Sequence, residues 1–320
     1  YPIVDQSEKF IAGYSNIDGY LTELNKEVVI FGDHTKNIKY IDFDFIAGAD
    51  GIKILEAKDN LNSKFLYYFL KNTELENLGY SRHFKLLKKI QIPLPPLEKQ
   101  QEIVDEIEQY QKVIDGAKQV VDNYKPHIDI DESWDKKELK NLIKINNGYT
   151  LTEFDDDGEL TAIKVSDMNL LENSTFITTS KKRVFRNRFS DTKVIPINSI
   201  IFPKRGAAIA TNKKRMNLVE CVIDNNCMAI TIIDESYLNP YYLFYFMLNF
   251  NLSTISSHTT IPLINNGNIQ TLVVPIPSLK TQNLIVEKLQ EERHIVEGNK
   301  KLIEIYSKKI EDRINKIWGE

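Results

Sequence analysis

The sequence predicts an α+β protein of two mixed α/β domains, each followed by a long helix, with the two helices packed as an antiparallel coiled coil. Three observations carry this: a long-range internal repeat, a heptad stripe in both copies of it, and strand-like patterning confined to the segments between. Ile90–Tyr124 (IQIPLPPLEKQQEIVDEIEQYQKVIDGAKQVVDNY) returns as LVVPIPSLKTQNLIVEKLQEERHIVEGNKKLIEIY at Leu272–Tyr306. One offset (275 − 93 = 182) pairs Pro93 with Pro275, Gln100 with Gln282, Ile103 with Ile285, Gly116 with Gly298 and Tyr124 with Tyr306, without a gap. Two copies this far apart are not a solenoid, whose repeats run roughly 20–50 residues and need at least three units. They imply a duplicated module of one variable domain plus one helix.

The elements follow in order. In the first domain Glu27–Phe31, Ile38–Ala47 and Ile52–Ala57 read as strands, with GDHTKN as a turn; Ile195–Phe202, Val219–Ile223 and Met228–Ile233 play the same part in the second. An aromatic helix then follows in each, Ser63–Lys71 and Pro240–Leu248, capped by Asn62 and Asn239, with Pro240 at the first helical position. Aromatic residues at this density on a helix point to core rather than to a base-stacking platform. A short apolar strand (Ile90–Ile92, Leu272–Val274) next runs into Pro-x-Pro, which favours extended backbone and stops strand pairing. Each copy ends in a helix. Ile103, Ile107, Tyr110, Ile114, Ala117, Val121 and Tyr124 keep 4-3 spacing, and Ile285, Leu289, Val296, Ile303, Tyr306, Ile310 and Ile317 fit the same register. A sustained 3.5-residue seam marks a helix that buries its stripe against a second helix. The expected boundaries are 1–92, 93–133, 134–274 and 275–320.

Composition sets the outer bounds. A chain of 320 residues that is 42% hydrophobic can build two cores. No run approaches the roughly 18 apolar residues of a membrane span, and YPIVDQSEKF is not a signal peptide. Cys221 and Cys227 have no Cys or His partner at zinc spacing and read as buried thiols of a cytoplasmic protein. The net charge of −4 argues against a nucleic-acid binder until its distribution is considered. Pro93–Trp134 carries four Lys/Arg against ten Asp/Glu, a solvated acidic surface. Thr178–Leu218 carries eleven Lys/Arg (Lys181, Lys182, Arg183, Arg186, Arg188, Lys193, Lys204, Arg205, Lys213, Lys214, Arg215) against Asp191 alone. Three basic clusters interleaved with strand-like sequence form the footprint of a phosphate-contacting surface.

Catalytic motifs do not hold up. Asn239-Pro240-Tyr241-Tyr242 resembles the Asn-Pro-Pro-Tyr loop of adenine methyltransferases but lacks the second proline, and no Gly-rich cofactor loop follows a strand. Glu56-Ala57-Lys58 after Asp33, Asp42, Asp44 and Asp50 could imitate a metal-dependent nuclease core, yet the second domain has no counterpart at Asp234-Glu235-Ser236. There is no Walker loop. His34, His83, His127, His258 and His294 show no metal or triad spacing. The reading is of a chain with no catalytic residue, no metal site and no cofactor.

The repeated I-P-L-P-P-L-x-x-Q-x-x-I-V and V-P-I-P-S-L-x-x-Q-x-x-I-V, each closing a variable domain and opening a long helix, resemble the specificity (S) subunits of type I restriction–modification systems. The stretch YPIVDQSEKFIAGY…VVIFGDHT…IAGADGIKIL is similar to one class of their target-recognition domains. The resemblance covers essentially the whole chain. It implies a non-catalytic subunit whose two target-recognition domains each read one half of a bipartite, asymmetric site in double-stranded DNA. Its helices would hold those domains apart and dock two methyltransferase (M) subunits, with restriction–translocase (R) subunits joining afterwards. One departure stands out: under the 182 offset, Trp134 corresponds to a position 48 residues before Tyr1 (134 − 182 = −48), so the first domain is expected to lack its opening strand region. The alternative is the recognition region of a fused DNA adenine methyltransferase or restriction enzyme, whose active site lies outside these residues. A coiled-coil scaffold without DNA contact is a third reading, which the basic stretch opposes.

Helical arithmetic fits a ruler. Leu97–Tyr124 is 28 residues, roughly 42 Å at about 1.5 Å per residue, against about 34–36 Å for one turn of B-DNA. Phosphate positioning is expected from Lys181, Arg183, Arg186, Arg188 and Lys213, Lys214 and Arg215, with Lys204 and Arg205 beside Gly206 within reach of bases. Arginine suits guanine O6/N7 and asparagine suits adenine N6/N7, so Arg205, Arg215, Asn265 and Asn266 are the candidate readers. In the first domain the candidates are Lys36, Lys39, Arg82 and His83, with His258 as a partial counterpart of His83.

Overall fold

The computed structural model describes residues 1–318 apart from 49, 50, 78, 80 and 258. The chain divides into two compact units, residues 1–123 with 296–320 and residues 124–295.

The first unit opens with β1 (Pro2–Val4), β2 (Gly13–Tyr14), β3 (Leu21–Thr22), β4 (Val28–Gly32), β5 (Ile38–Ile41), β6 (Phe45–Ala47) and β7 (Ile52–Glu56). They form two sheets, β2-β1-β6-β3 and β5-β4-β7. The expected strand Ile38–Ala47 is therefore two strands in two sheets. The chain turns at Asp42–Asp44, where Asp44 accepts from the Leu24 N–H at 2.8 Å. Helices α1 (Ser63–Lys71), α2 (Phe84–Leu87) and α3 (Leu97–Asn123) complete the segment. As the capping sequence predicts, the Asn62 side chain accepts from the N–H groups of Lys64 and Phe65. Phe65, Leu66, Tyr68, Phe69 and Leu70 are buried, so this aromatic helix is core.

The second unit contains β8 (Asp135–Glu138), β9 (Ile143–Asn147), β10 (Leu160–Ile163), β11 (Phe176–Ile177), β12 (Arg183–Val184), β13 (Ile200–Pro203), β14 (Arg215–Asn217), β15 (Cys221–Ile223) and β16 (Cys227–Ile232). Then come α4 (Pro240–Asn249), α5 (Asn266–Gln270), β17 (Val273–Ile276) and α6 (Leu279–Asn315), whose last residues belong to the first unit. The sheets are β11-β14-β13-β16-β9, β12-β10-β15 and β17-β8. The expected strand Ile195–Phe202 is short, because Asn198 adopts φ 62°, outside the β region. Two further expectations need correction. Ile90–Ile92 is not a strand. Pro275 lies inside β17, opposite Lys136, rather than ending it; a two-stranded sheet has only edge strands, where a missing N–H is tolerated. Cys221 and Cys227 are buried free thiols whose pKa values burial pushes up.

The two units share a frame. In β4–β7 and in β13–β16, Gly32 faces Ile52 and Pro203 faces Cys227. The next residue donates its N–H across the pair, Asp33 to Gly51 at 2.7 Å and Lys204 to Asn226 at 2.8 Å. Its carbonyl accepts from the segment leading into the short helix, from His83 at 2.8 Å and from Ile264 at 2.9 Å. The repeated glutamine is a second common device. Gln100 is fully buried, accepts from the Asn62 N–H at 2.8 Å and donates to the carbonyls of Asn60 and Pro95. Gln282 is equally buried, accepts from the Asn239 N–H at 2.8 Å and donates to Tyr237 and Pro277. One side chain thus fastens the start of the aromatic helix to the start of the long helix in each unit.

Within the first unit, Ile103, Ile107 and Ile114 of α3 share a core with Ile310 and Ile314 of α6, flanked by Ile303 and Tyr306. Arg313 donates to Glu106 at 2.6 Å, and the Tyr110 and Tyr306 rings lie 5.5 Å apart. Lower numbers on α3 meet higher numbers on α6, so these stretches run antiparallel. The hydrogen bond from Arg313, then that from Tyr110, holds the Glu106 carboxyl below its usual range.

Candidate nucleic-acid interface

In the second unit the buried strand β13 delivers its last residues to one end of the sheet. There the backbone of Lys204–Gly206 is pinned on both sides. Lys204 is bonded to Asn226 and Ile264, Gly206 donates to Pro262 at 2.8 Å, and Arg205 bridges Leu263. Gly206 has φ 72°, a left-handed conformation that favours glycine. The Lys204 ammonium donates to Oδ1 of Asn147 at 2.8 Å, and Nδ2 of Asn147 donates to Oδ1 of Asn266 at 2.8 Å. Asn265 accepts from the Asn268 N–H while Asn268 accepts from Asn265, a reciprocal cap that fixes the start of α5. Arg205, Asn147, Asn265 and Asn266 are exposed and Lys204 is half-buried. Partial burial, with Arg205 nearby, lowers the Lys204 pKa. Lys204, Arg205, Asn265 and Asn266, expected from the sequence to reach or read bases, lie together at this end of the sheet. The structure adds Asn147, which no local motif marks.

The remaining basic residues separate into two kinds. Lys181, Lys182 and Lys193 are exposed. Others are committed to neighbours. Arg183 donates to the carbonyls of Gly158 and Glu159, Arg186 pairs with Asp191 at 2.6 Å, Arg188 pairs with Asp155, and Lys213 bonds Asn169. The expectation that all eleven cations face one surface is corrected at two positions. Lys214 is fully buried and donates to Asn212 and to the Phe250 carbonyl, with its pKa pulled down to about 8 by burial. Arg215 donates to the carbonyls of Asn173, Lys214 and Met168 at 2.6–3.2 Å. Arg215 is folded inward against the loop after β10, whose carbonyls at Met168 and Asn173 need donors, and Lys214 against the end of α4, where it supplies the donor for the Phe250 carbonyl.

The first unit requires the same correction. Lys39 is buried and donates to the carbonyls of Asp5 and Lys9, with the Asp5 carboxylate 3.7 Å away. Ile30 faces Lys39 as Ile201 faces Arg215, so the two cations occupy one position of the common frame. His83 is buried, with Nδ1 3.0 Å from the Asp33 carbonyl, and joins α2 to the β4–β5 turn instead of presenting a surface. Lys36 is half-buried at φ 61°, its ammonium 3.5 Å from the Leu75 carbonyl. Arg82 is exposed, 3.9 Å from Asp33. His258 and Asp50 lie outside the described residues. The frame places Asp33 and His34 where the second unit has Lys204 and Arg205. His34 was missed as a counterpart because the two turns differ in sequence and length.

Lys39→Met and Arg215→Met are expected to cost about 2–4 kcal/mol of stability. Arg215 serves the carbonyls of buried Asn173, Lys214 and Met168, and Lys39 ties the Asp5 and Lys9 carbonyls and the Asp5 carboxylate to the sheet. Urea denaturation checks this: unchanged midpoints with weakened DNA binding would return both cations to the interface.

Among the described residues, the nuclease-like carboxylates Asp33, Asp44 and Glu56 are engaged by separate partners. Asp33 accepts from the Phe84 N–H, Asp44 from the Leu24 N–H, and Glu56 lies 3.7 Å from Lys26. Among the described residues, no group of three or more His, Cys, Asp or Glu is placed to hold a metal, and no helix is long and apolar enough to cross a membrane. Asn239-Pro240 is a helix cap, with Asn239 accepting from Tyr241 and Tyr242.

Comparison with known proteins agrees with this architecture. The type I restriction modification DNA specificity domain matches residues 12–121 and again 131–305, one copy in each half of the chain. The chain belongs to this family. Similar relatives include the EcoR124I/EcoR124II specificity subunit of Escherichia coli, 25% identical over 97% of this chain and 84% of the relative. The MjaIX specificity subunit of Methanocaldococcus jannaschii is 23% identical over 84% and 72%. Among solved structures, the type I S subunit of M. genitalium gives a TM-score of 0.60 at 13% identity, covering 99% of this chain and 88% of that one. A chain from a study of type I system assembly gives 0.58 at 17%, covering 99% and 90%. These structures share the fold. The chain is a non-catalytic type I specificity subunit, and its business is recognition of DNA sequence.

Proposed function

We propose that the chain reads a bipartite, asymmetric site in double-stranded DNA, one half-site per unit, and that its long helices space the two units and dock methyltransferase subunits. The observation that carries this is one backbone frame holding different side chains. The residues after β4 are Asp33 and His34, and those after β13 are Lys204 and Arg205. A shared scaffold with unlike groups at its reading end suits two half-sites of unlike sequence. Helix α3 is 27 residues, about 40 Å at about 1.5 Å per residue, which suits half-sites about one turn apart. In this reading α3 and α6 form the antiparallel coiled coil, with two M subunits on the helices and R subunits joining the assembled complex in the cytoplasm. Lys181 and Lys182 neutralise phosphates, Arg205 and Lys204 reach bases, and Arg82 and Lys36 face the other half-site.

The double replacement Lys181→Glu/Lys182→Glu tests the phosphate role. Binding by the assembled complex should weaken on all sequences alike, and the salt dependence should flatten by about two units. Unchanged binding at low salt would make this a solvated face.

A further inference from the structure

The row Lys204–Asn147–Asn266 carries more than three polar side chains on a surface. A lysine ammonium can only donate, so the oxygen of Asn147 must face Lys204. Its amide nitrogen then faces Asn266, whose own oxygen must accept, which turns the Asn266 NH2 outward. Both amides are thereby oriented by chemistry rather than by choice of rotamer. Each oxygen accepts one bond within the row, and the donors left over are the remaining protons of the ammonium, one N–H of Asn147 and the NH2 of Asn266, so the row is rich in donors. An asparagine free to offer both a donor and an acceptor suits adenine; here each oxygen is already turned into the row and engaged by a donor, while the N–H groups remain to be satisfied. The base of the row is stiff, since β9 is paired through Asn147 with Met228, and α5 is capped by Asn265 and Asn268.

We propose that Asn147 is a specificity-determining residue and that the Lys204–Asn147–Asn266 row takes an acceptor-only edge, in duplex DNA the N7 and O6 atoms of guanine. This deepens the DNA-reading function above and rests on it. Phosphate oxygens share the same chemistry, and the experiment separates the two sources.

Duplexes are selected from a random pool by the complex of this chain with its methyltransferase subunits, using the native chain, Asn147→Ala and Asn147→Asp. Asn147 is exposed at a strand end, and an unchanged thermal midpoint establishes that both variants fold. The native complex should select guanine at one position of one half-site. Either variant should lose that preference by about tenfold or more while the other half-site stays unchanged. Placing 7-deazaguanine at that position should weaken the native complex to a similar degree and leave Asn147→Ala unaffected. A uniform loss on all sequences in Asn147→Ala, with no position losing its preference, would assign the row to phosphate and overturn the proposal. A motif unaltered in Asn147→Ala would also overturn it, with the DNA-reading function intact. Failure of the native complex to select any motif would remove that function and the proposal together.

Discussion

Replacing Gln282 by leucine is expected to destabilise the second unit by about 2–4 kcal/mol. The side chain is fully buried and serves three partners, the Asn239 N–H and the carbonyls of Tyr237 and Pro277. Leucine fills similar volume but takes the partner from all three. A backbone group left unpaired where it is buried, as at Pro277, costs about 1–3 kcal/mol, and the part-buried groups of Asn239 and Tyr237 cost less because water reaches them. Gln100→Leu should do the same to the first unit, where Asn62, Asn60 and Pro95 lose their partner. Amide hydrogen exchange locates the effect: protection should fall at the start of α4 in one variant and of α1 in the other. Unaltered protection at both helix starts would show that the clamp contributes little.

The second large effect concerns DNA. Arg205→Ala should cost about 1–3 kcal/mol of discrimination at one base position. Its backbone is held by Leu263 and the neighbouring Gly206–Pro262 bond, so the loss is of the guanidinium and not of the turn. Arg82→Ala should act only on the other half-site. Competition binding with single-base variants of the site measures both. An Arg205→Ala complex that weakens equally on every sequence would move Arg205 from base reading to phosphate contact.

How much of this was legible in the sequence depends on how far apart the deciding groups lie. Caps at Asn62 and Asn239 act over two or three residues, so residue type and position sufficed. The heptad stripe and the paired Gln100 and Gln282 were visible because duplication wrote them twice. The split of Ile38–Ala47 was not, since apolar patterning does not distinguish one long strand from two that belong to different sheets. Basic residues misled for a related reason. Charge counts see Lys39, Lys214 and Arg215 as surface, whereas the carbonyls of Asp5, Phe250 and Met168 that hold them come from distant segments. Asn147 escaped notice because its partners lie 57 and 119 residues away, at Lys204 and Asn266.

The central claim is that each unit reads its own half of one site. Selection of bound duplexes by the native complex, read out as the full motif, tests it most directly. Two short defined sequences of different composition, about one helical turn apart with unselected base pairs between them, are predicted. A single contiguous motif, or two identical halves, would contradict it.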